Sequence, residues 1–216
     1  LHLITGITGQ FSFGHAAFVS IGAYASALVT IHLHLPFFLS LLAGGLAAAF
    51  CGVLLGFPSL RLTGDYLGIT TLGFGEIVRV VFINMKITGG ASGLTGIPRE
   101  TNIFLVYFIV ILTIWGMYRI QNSRFGRALT AIREDEIAAE TMGINPLLYK
   151  IKAFDIGTFV AGISGSLFAH MMQYLHPADF GFARSFEILN FVVLGGLGSI
   201  PGTILGTAIL SLAPEF

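Results

Sequence analysis

Long apolar segments, separated by short polar interruptions, dominate the chain. A helix that crosses the roughly 30 Å hydrocarbon core of a bilayer needs about 20 apolar residues. Segments of that length lie at about 11–31, 37–57, 65–85, 102–121, 152–174 and 186–212. Each is continuously apolar instead of alternating over about ten residues, which favours helices over the strands of a membrane barrel. The pattern predicts an all-α integral membrane protein, a polytopic bundle of about six segments.

Glycine interrupts two of these segments, 65–85 and 186–212, and we expect either one to be broken or partly re-entrant. Four small residues, Gly44, Ala48, Gly52 and Gly56, recur at four-residue spacing, and so do Gly198, Gly202 and Gly206. Residues four apart share a helix face, where small side chains let two backbones approach closely in lipid. The stripes predict close helix packing, with the lining or gating of a path as the alternative. Pro201 predicts a kink or a half-helix at the second stripe.

Composition places the bundle in a membrane. Hydrophobic residues make up 55% of the chain and charged residues 10%, against about 25% charged in soluble domains. The net charge is zero, so nothing indicates binding to nucleic acid. The single cysteine, Cys51, excludes a disulfide within the chain and a cysteine-based metal site. Because the chain begins without Met and stops just after an apolar run, we expect a piece of a longer membrane protein.

Positive charge predicts the orientation, because short loops rich in Lys and Arg stay in the cytoplasm. The loop 119–152 should face the cytoplasm, since it holds Arg119, Arg124, Arg127, Arg133, Lys150 and Lys152. The predicted outer loops hold only Lys86, Arg99 and Arg184. These counts fit six passes with both chain ends inside.

A few polar residues fall within the apolar segments. Glu76 and Arg79 lie three apart on one helix face, where each alone would cost several kcal/mol, so we expect an ion pair. That pair is either structural or part of a path. Gln10, Ser12 and His15 share a small-residue stretch and are either hydrogen-bonded packing residues or residues that line a path.

Several kinds of chemistry leave no signature in the chain. It lacks the G-x-x-x-x-G-K-[ST] loop that cradles the phosphates of ATP, so we expect no ATP hydrolysis by this chain. It also lacks an H-E-x-x-H zinc motif and a G-x-S-x-G nucleophile elbow. The prediction is a protein that is not an enzyme, with no catalytic, cofactor-binding or metal-binding residues of its own.

The segment 123–152 differs from the rest, because it holds nine of the 22 charged residues. Phe125, Ala128, Leu129 and Ile132 follow the i, i+3, i+4, i+7 pattern of an amphipathic helix, and Ile137, Ala138 and Met142 are expected to extend its apolar side. Gly143 is a good helix stop, and Asn145-Pro146 predicts the capped start of the next helix. The segment is either a solvated loop or a helix that docks a soluble cytoplasmic partner.

Five blocks of sequence resemble the permease subunits of bacterial branched-chain amino acid ABC importers, of the LivM-like type. They run in the family's order along nearly the whole chain: TGQFSFGHAAFVSIGAYASAL (8–28), RLTGDYLGITTLGFGEIVRVV (61–81), TGGASGLTGIP (88–98), SRFGRALTAIREDEIAAETMGINPLLYKIKAF (123–154) and VVLGGLGSIPGTILGTAIL (192–210). The resemblance implies one permease domain over 1–216, with a cytoplasmic coupling loop at 123–151.

Such permeases present a coupling helix to their ATPases, often with an E-A-A-x-x-x-G motif. Ala138, Ala139 and Gly143 match that spacing; Ile137 replaces the Glu, Glu136 lies one residue early, and the usual I-x-L-P ending is missing. The resemblance therefore implies ATPase coupling by Arg124, Phe125, Arg127, Leu129, Ile132, Glu136, Ala138, Ala139 and Gly143.

The resemblance also implies partners and a location. We expect a second homologous permease subunit, two cytoplasmic ATPase subunits that bind Mg-ATP, an extracytoplasmic substrate-binding protein, and multi-pass insertion in the bacterial inner membrane. The predicted spans show no charged clamp for the carboxylate and ammonium groups of an amino acid. Two alternatives stay open: a sugar-type ABC permease of the same superfamily, and a secondary transporter that couples to an ion through Glu76. An intramembrane enzyme has no catalytic constellation to support it.

Overall fold

A computed structural model describes residues 1–62 and 64–212. Nine α-helices occur in this part of the chain, which has no β-strand beyond one antiparallel bridge between Leu94 and Leu175. A π-helical stretch, His2–Ile7, precedes them. The helices are α1 His15–Leu33, α2 Phe37–Ser59, α3 Asp65–Asn84, α4 Ile103–Gln121, α5 Arg124–Glu134, α6 Glu136–Thr141, α7 Pro146–Met172, α8 Phe182–Leu194 and α9 Ile200–Leu212.

Five of these helices, α1 to α4 and α7, are long and apolar enough to cross a membrane. They confirm five of the predicted segments and the all-α polytopic fold. α3 is continuous, so its glycines do not break it. The last predicted segment, 186–212, is broken as its glycines predicted, because it is divided into α8 and α9 within the described residues. Each has 13 residues, about 20 Å at the helical rise per residue, which is shorter than the hydrocarbon layer.

Helices α1, α2 and α7 form the tightly packed part of the molecule. The Gly44–Gly56 stripe of α2 is buried against α7, where Gly52 meets Thr158 and Gly56 lies beside Phe154. A Cβ added to Gly22 of α1 would collide with the backbone of Gly162 on α7. The predicted close packing at the first stripe is therefore confirmed.

Hydroxyl groups and an imidazole join the same three helices at one end. The Thr30 hydroxyl donates to Ser40 Oγ at 2.8 Å and lies 3.0 Å from His170 Nε2, and all three residues are buried. These contacts also give the relative directions of the three helices. α1 runs parallel to α7, since Gly22 meets Gly162 and Thr30 meets His170. α2 runs antiparallel to both. We call the end near α5 and α6 the inner end and the opposite end the outer end.

The chain after α7 turns back into the bundle. The Tyr24 hydroxyl donates to the Leu175 carbonyl, and the Phe180 ring packs edge-on against Phe168 of α7. α8 then starts beside the first turn of α1, where the Ala16 amide donates to Ser185 Oγ at 3.1 Å. The prediction that 175–185 is an outer loop holds for its start, where Leu175 bridges Leu94 and His176 Nε2 lies 3.1 Å from the Ala91 carbonyl oxygen. The chain then runs along the side of the bundle to Ser185.

Candidate functional site

Helix α5 is the amphipathic helix that the sequence predicts. Ser123 caps its start, because its hydroxyl accepts the Gly126 amide at 3.2 Å. Leu129 is completely buried against Leu3, Ile7 and Ala153, in a cluster that ties α5 to the π-helical stretch and to α7. Ala128 and Ile132 are buried on the same face, and Phe125 stacks on Tyr149 at 5.5 Å. Arg124 and Arg127 are exposed on the opposite side.

The helix is interrupted at Asp135, which separates α5 from the six-residue helix α6. The Asp135 carboxylate accepts the amides of Ile137 and Ala138 at 2.9 and 3.0 Å, which is the contact of an N-cap. The break changes the direction of the helix, so the predicted continuous apolar side is wrong. Ile137 and Met142 are 76% and 82% exposed, and Ala139 is the residue that faces inward.

The predicted hinge after α6 is present. Gly143 has φ +82°, a left-handed conformation that suits glycine at a helix end. The Asn145 side chain caps α7 by accepting the Leu148 amide at 3.2 Å, with Pro146 at the first helical position. α7 therefore begins outside the predicted span 152–174 and carries the chain from α6 into the membrane as one rigid helix.

Two charged residues anchor the segment to the rest of the molecule. The Glu136 carboxylate accepts from Lys150 Nζ of α7 at 2.6 Å, and the Lys150 side chain is only 7% exposed. Arg133 Nη1 donates to the Gly6 carbonyl at 3.0 Å. Glu136 thus links α6 to α7, and Arg133 links α5 to the stretch before α1.

The nine predicted coupling residues divide into two groups. Five of them, Phe125, Leu129, Ile132, Glu136 and Ala139, face the bundle and hold the segment in place. Arg124, Arg127, Ala138 and Gly143 are exposed. Leu148 at the start of α7 is a further exposed apolar residue. Like the outward-facing Ile137 and Met142, it is absent from the nine predicted coupling residues. An Asp at position 135, typical of an N-cap, was the sequence signal for the break that exposes them.

Glu76 and Arg79 form the predicted ion pair, with Arg79 Nη1 2.9 Å from Glu76 Oε2. Their side chains are 40% and 36% exposed, and Arg79 lies beside Gly181, where the returning segment meets α3. A second pair on α8 joins Arg184 Nη1 to Glu187 Oε2 at 2.7 Å. The face shared by α3 and α8 therefore carries two partly exposed ion pairs.

Gln10, Ser12 and His15 are buried at the start of α1. Gln10 Oε1, Ser12 Oγ and His15 Nδ1 have no hydrogen-bond partner within 1–62 and 64–212. A buried polar atom without a partner is costly, so these groups are candidates for contact with water or a ligand. Their role in a path stays a prediction.

The second glycine stripe differs from its prediction, because its three members do not share one helix. Gly198 lies in the turn between α8 and α9 with φ +86°, and its carbonyl accepts from Gln121 Nε2 at 3.0 Å. Gly202 and Gly206 lie on α9 and press against Gly195 at the end of α8. Pro201 lies in the first turn of α9 and starts a half-helix instead of a kink. These glycines close a tight antiparallel hairpin.

Comparison with known proteins finds similarity to one family of permeases along the whole chain. The family described as branched-chain amino acid transport system / permease component matches residues 1–216. The chain is 38% identical, over all of its length, to the high-affinity branched-chain amino acid transport system permease protein LivM of Salmonella typhimurium, and 37% identical to LivM of Escherichia coli.

The chain spans 59% of the length of both LivM relatives. It is also 26% identical to the LivH permease protein of Salmonella typhimurium, with 98% of this chain and 77% of LivH aligned. The chain is therefore similar to two kinds of branched-chain amino acid permease protein, LivM and LivH. No solved structure matches the chain significantly.

Proposed function

Because this chain belongs to the family of branched-chain amino acid transport system permease components, we propose that it is the membrane permease subunit of an ATP-driven importer of leucine, isoleucine or valine. It forms the translocation path with a second, homologous permease subunit. Two cytoplasmic ATPase subunits bind Mg-ATP, and an extracytoplasmic binding protein delivers the amino acid. The chain resides in the bacterial inner membrane as a multi-pass protein, and it carries no ATP chemistry of its own.

The observation that carries this proposal is the surface of α6. Ile137 and Met142 are among the most exposed large apolar side chains of the molecule. Acidic and basic residues surround them, and the segment lies on the side that the charge distribution assigns to the cytoplasm. A short helix with an exposed apolar face suits a groove on a soluble partner. We assign that partner as the ATPase.

The contacts behind this surface support a route by which a docked ATPase acts on the membrane part. In the proposed transporter, ATP binding to the docked ATPase displaces α6. The buried Lys150–Glu136 pair passes that displacement to α7, and the Arg133–Gly6 hydrogen bond passes it to the stretch before α1. ATP then shifts the population between inward-open and outward-open arrangements, provided that the ATPases bind the two arrangements with different affinity.

Co-purification tests the docking surface. The assembled transporter is expressed with Ile137→Asp and Met142→Asp together, and the ATPase captured with the permease is quantified. We expect at least a tenfold loss of captured ATPase, because two charges then replace the apolar contacts. Ile87→Asp is the matched control, since Ile87 is an exposed isoleucine at the outer end. Full ATPase capture by the double variant would refute this docking surface.

A further inference from the structure

A small polar pocket of about 170 Å³ lies at the inner end of the bundle. Its wall is formed by four parts of the chain: the stretch before α1, the start of α3, the segment α5–α6, and α7. A protein cavity of about 150 Å³ is large enough to hold benzene. The pocket therefore has room for a small organic molecule.

Contacts among the described residues hold these walls together. Lys150 Nζ of α7 lies 2.6 Å from the Glu136 carboxylate of α6. Arg133 Nη1 of α5 donates to the Gly6 carbonyl at 3.0 Å. Leu67 of α3 is buried in an apolar cluster that also includes residues of α1, α2 and α7. The shape of the pocket is thus set by packing between α3, α5, α6, α7 and the stretch before α1.

Two buried polar side chains in this wall have unused hydrogen-bonding capacity. The Lys150 side chain is 7% exposed, and its ammonium has three donors, of which one is used by Glu136 within the described residues. Gln10 is also 7% exposed, and its Oε1 atom has no partner within 1–62 and 64–212. A buried polar atom without a partner is costly. These two side chains therefore indicate a ligand that offers both hydrogen-bond acceptors and donors.

The rest of the wall narrows the chemistry of that ligand. Glu136 places a carboxylate beside the Lys150 ammonium, and Leu62, Leu67 and Ile132 add apolar surface. The ammonium suits a carboxylate, since such charge-assisted hydrogen bonds are the strong ones. The Glu136 carboxylate suits an ammonium group in the same way. Both signs of charge beside an apolar wall are the complement of an aliphatic amino acid zwitterion.

We propose that this pocket binds the transported amino acid on the cytoplasmic side, after its release, and that the bound amino acid slows further import. Lys150 holds the carboxylate, Glu136 and Gln10 hold the ammonium group, and the apolar wall receives the branched side chain. This inference rests on the proposed function and adds regulation by its product.

The position of the pocket explains the effect on import. A ligand that contacts Glu136 of α6 and Lys150 of α7 together stabilises the arrangement in which these helices lie side by side. A ligand that prefers one arrangement shifts the population toward it. The amino acid therefore opposes the displacement of α6 by the docked ATPase.

Uptake into proteoliposomes that contain Mg-ATP tests this regulation. We expect millimolar internal leucine to lower the initial rate of [¹⁴C]leucine uptake by about fivefold or more, the lower end of typical coupling between two sites. Internal ribose should leave the rate unchanged. An uptake rate that ignores internal leucine would overturn the inference.

The variant Gln10→Leu assigns the effect to this pocket. The readout is the ratio of uptake rates with and without internal leucine, so a change in the rate itself does not enter. We expect Gln10→Leu to remove most of the inhibition. Gln121→Leu is the glutamine control and should keep it, because Gln121 donates to the Gly198 carbonyl outside this pocket. Equal inhibition of both variants would refute this site.

Cysteine protection tests binding without transport. Leu62 lines the pocket and is 40% exposed, so Leu62→Cys in a Cys51→Ala background places one accessible thiol there. Leucine at twice its Kd or more should slow labelling by a small thiol reagent about threefold or more. Leu35→Cys is the matched control, since Leu35 is 38% exposed at the outer end. Labelling at position 62 that leucine leaves unchanged would refute occupancy of the pocket.

The two proposals fail in different ways. If the unsubstituted complex in vesicles without internal leucine takes up no leucine with ATP, the proposed function falls and this inference falls with it. If that complex takes up leucine, but internal leucine neither slows uptake nor protects position 62, only the inference is wrong.

Discussion

The α1–α2–α7 packing and the α8 face differ in what fills the space between their helices. Where α1, α2 and α7 meet, glycines bring backbones into contact, and Thr30, Ser40 and His170 satisfy one another's polar atoms. α8 instead carries the half-exposed ion pair between Arg184 and Glu187 and two partly exposed aromatic side chains, Phe182 and Phe186.

This difference separates the residues that maintain the fold from those available for transport. Close packing without a cavity leaves no room for cargo, but it fixes the register of the helices. The ion pair on α8 adds little stability, because its charges remain partly exposed. We therefore expect substitutions in the first region to reduce the amount of folded permease, and substitutions in the second to reduce uptake by permease that still folds.

The largest expected effect is at Gly22. A Cβ there collides with the backbone of Gly162, and overpacking of this kind costs about 1–3 kcal/mol or more. Gly22→Ala should sharply lower the yield and thermal stability of the detergent-solubilised permease in size-exclusion chromatography. Gly116→Ala is the control, because a Cβ at Gly116 of α4 would meet nothing within 4 Å. Equal thermal stability of the two variants would contradict the proposed difference between the packed α1–α2–α7 region and the rest of the molecule.

The second effect is at the Glu136–Lys150 pair. Glu136→Gln leaves the nearly buried ammonium of Lys150 without its counter-charge, at a cost of about 1–2 kcal/mol after allowance for the 44% exposure of Glu136. We expect the ATPase to bind but to drive less uptake. The double variant Glu136→Gln/Lys150→Met should recover stability, whereas Lys152→Met, an exposed control, should change nothing. If the Glu136→Gln permease drove as much uptake as the wild type, the proposed transmission through α7 would be contradicted.

A smaller effect is expected at Thr30. Thr30→Val keeps the shape but removes the hydroxyl that joins Ser40 and His170, at a cost of about 1–2 kcal/mol. A lower midpoint of thermal unfolding, with unchanged uptake per folded molecule, would agree with a purely structural role. Thr70→Val is the control, since the Thr70 hydroxyl is exposed and bonds within its own helix. A specific loss of uptake in Thr30→Val would place function in the packed region.

The smallest expected effect is at Glu76. Its partner Arg79 is on the same helix and both side chains are partly exposed, so Glu76→Gln should change ATP-driven uptake less than about twofold. Initial rates of leucine uptake would check this. An ion-coupled transporter that uses Glu76 would instead lose gradient-driven uptake entirely with this substitution.

Apolar length predicted the five long helices, periodicity predicted the burial of Leu129 and Ile132, and local capping signals predicted the hinge from Gly143 to Pro146. Each of these features depends on residues that are close in the sequence. The outward direction of the Ile137 side chain depends on a single capping residue, Asp135, where α5 ends and α6 begins in a different direction. The course of residues 175–185 along the bundle could not be predicted from the sequence. Asp179 and Arg184 lie in a polar interruption that resembles any outer loop, and only the long-range contacts of Tyr24 and Phe168 bring that interruption into the bundle.

Uptake without an ion gradient tests the central claim most directly. The assembled transporter, its binding protein and [¹⁴C]leucine are combined in proteoliposomes with ionophores that abolish proton and sodium gradients, and ATP is supplied on the ATPase side. The account predicts that leucine accumulates only when ATP can be hydrolysed. Accumulation that needs an ion gradient and ignores ATP would contradict it and would identify the chain as part of a secondary transporter.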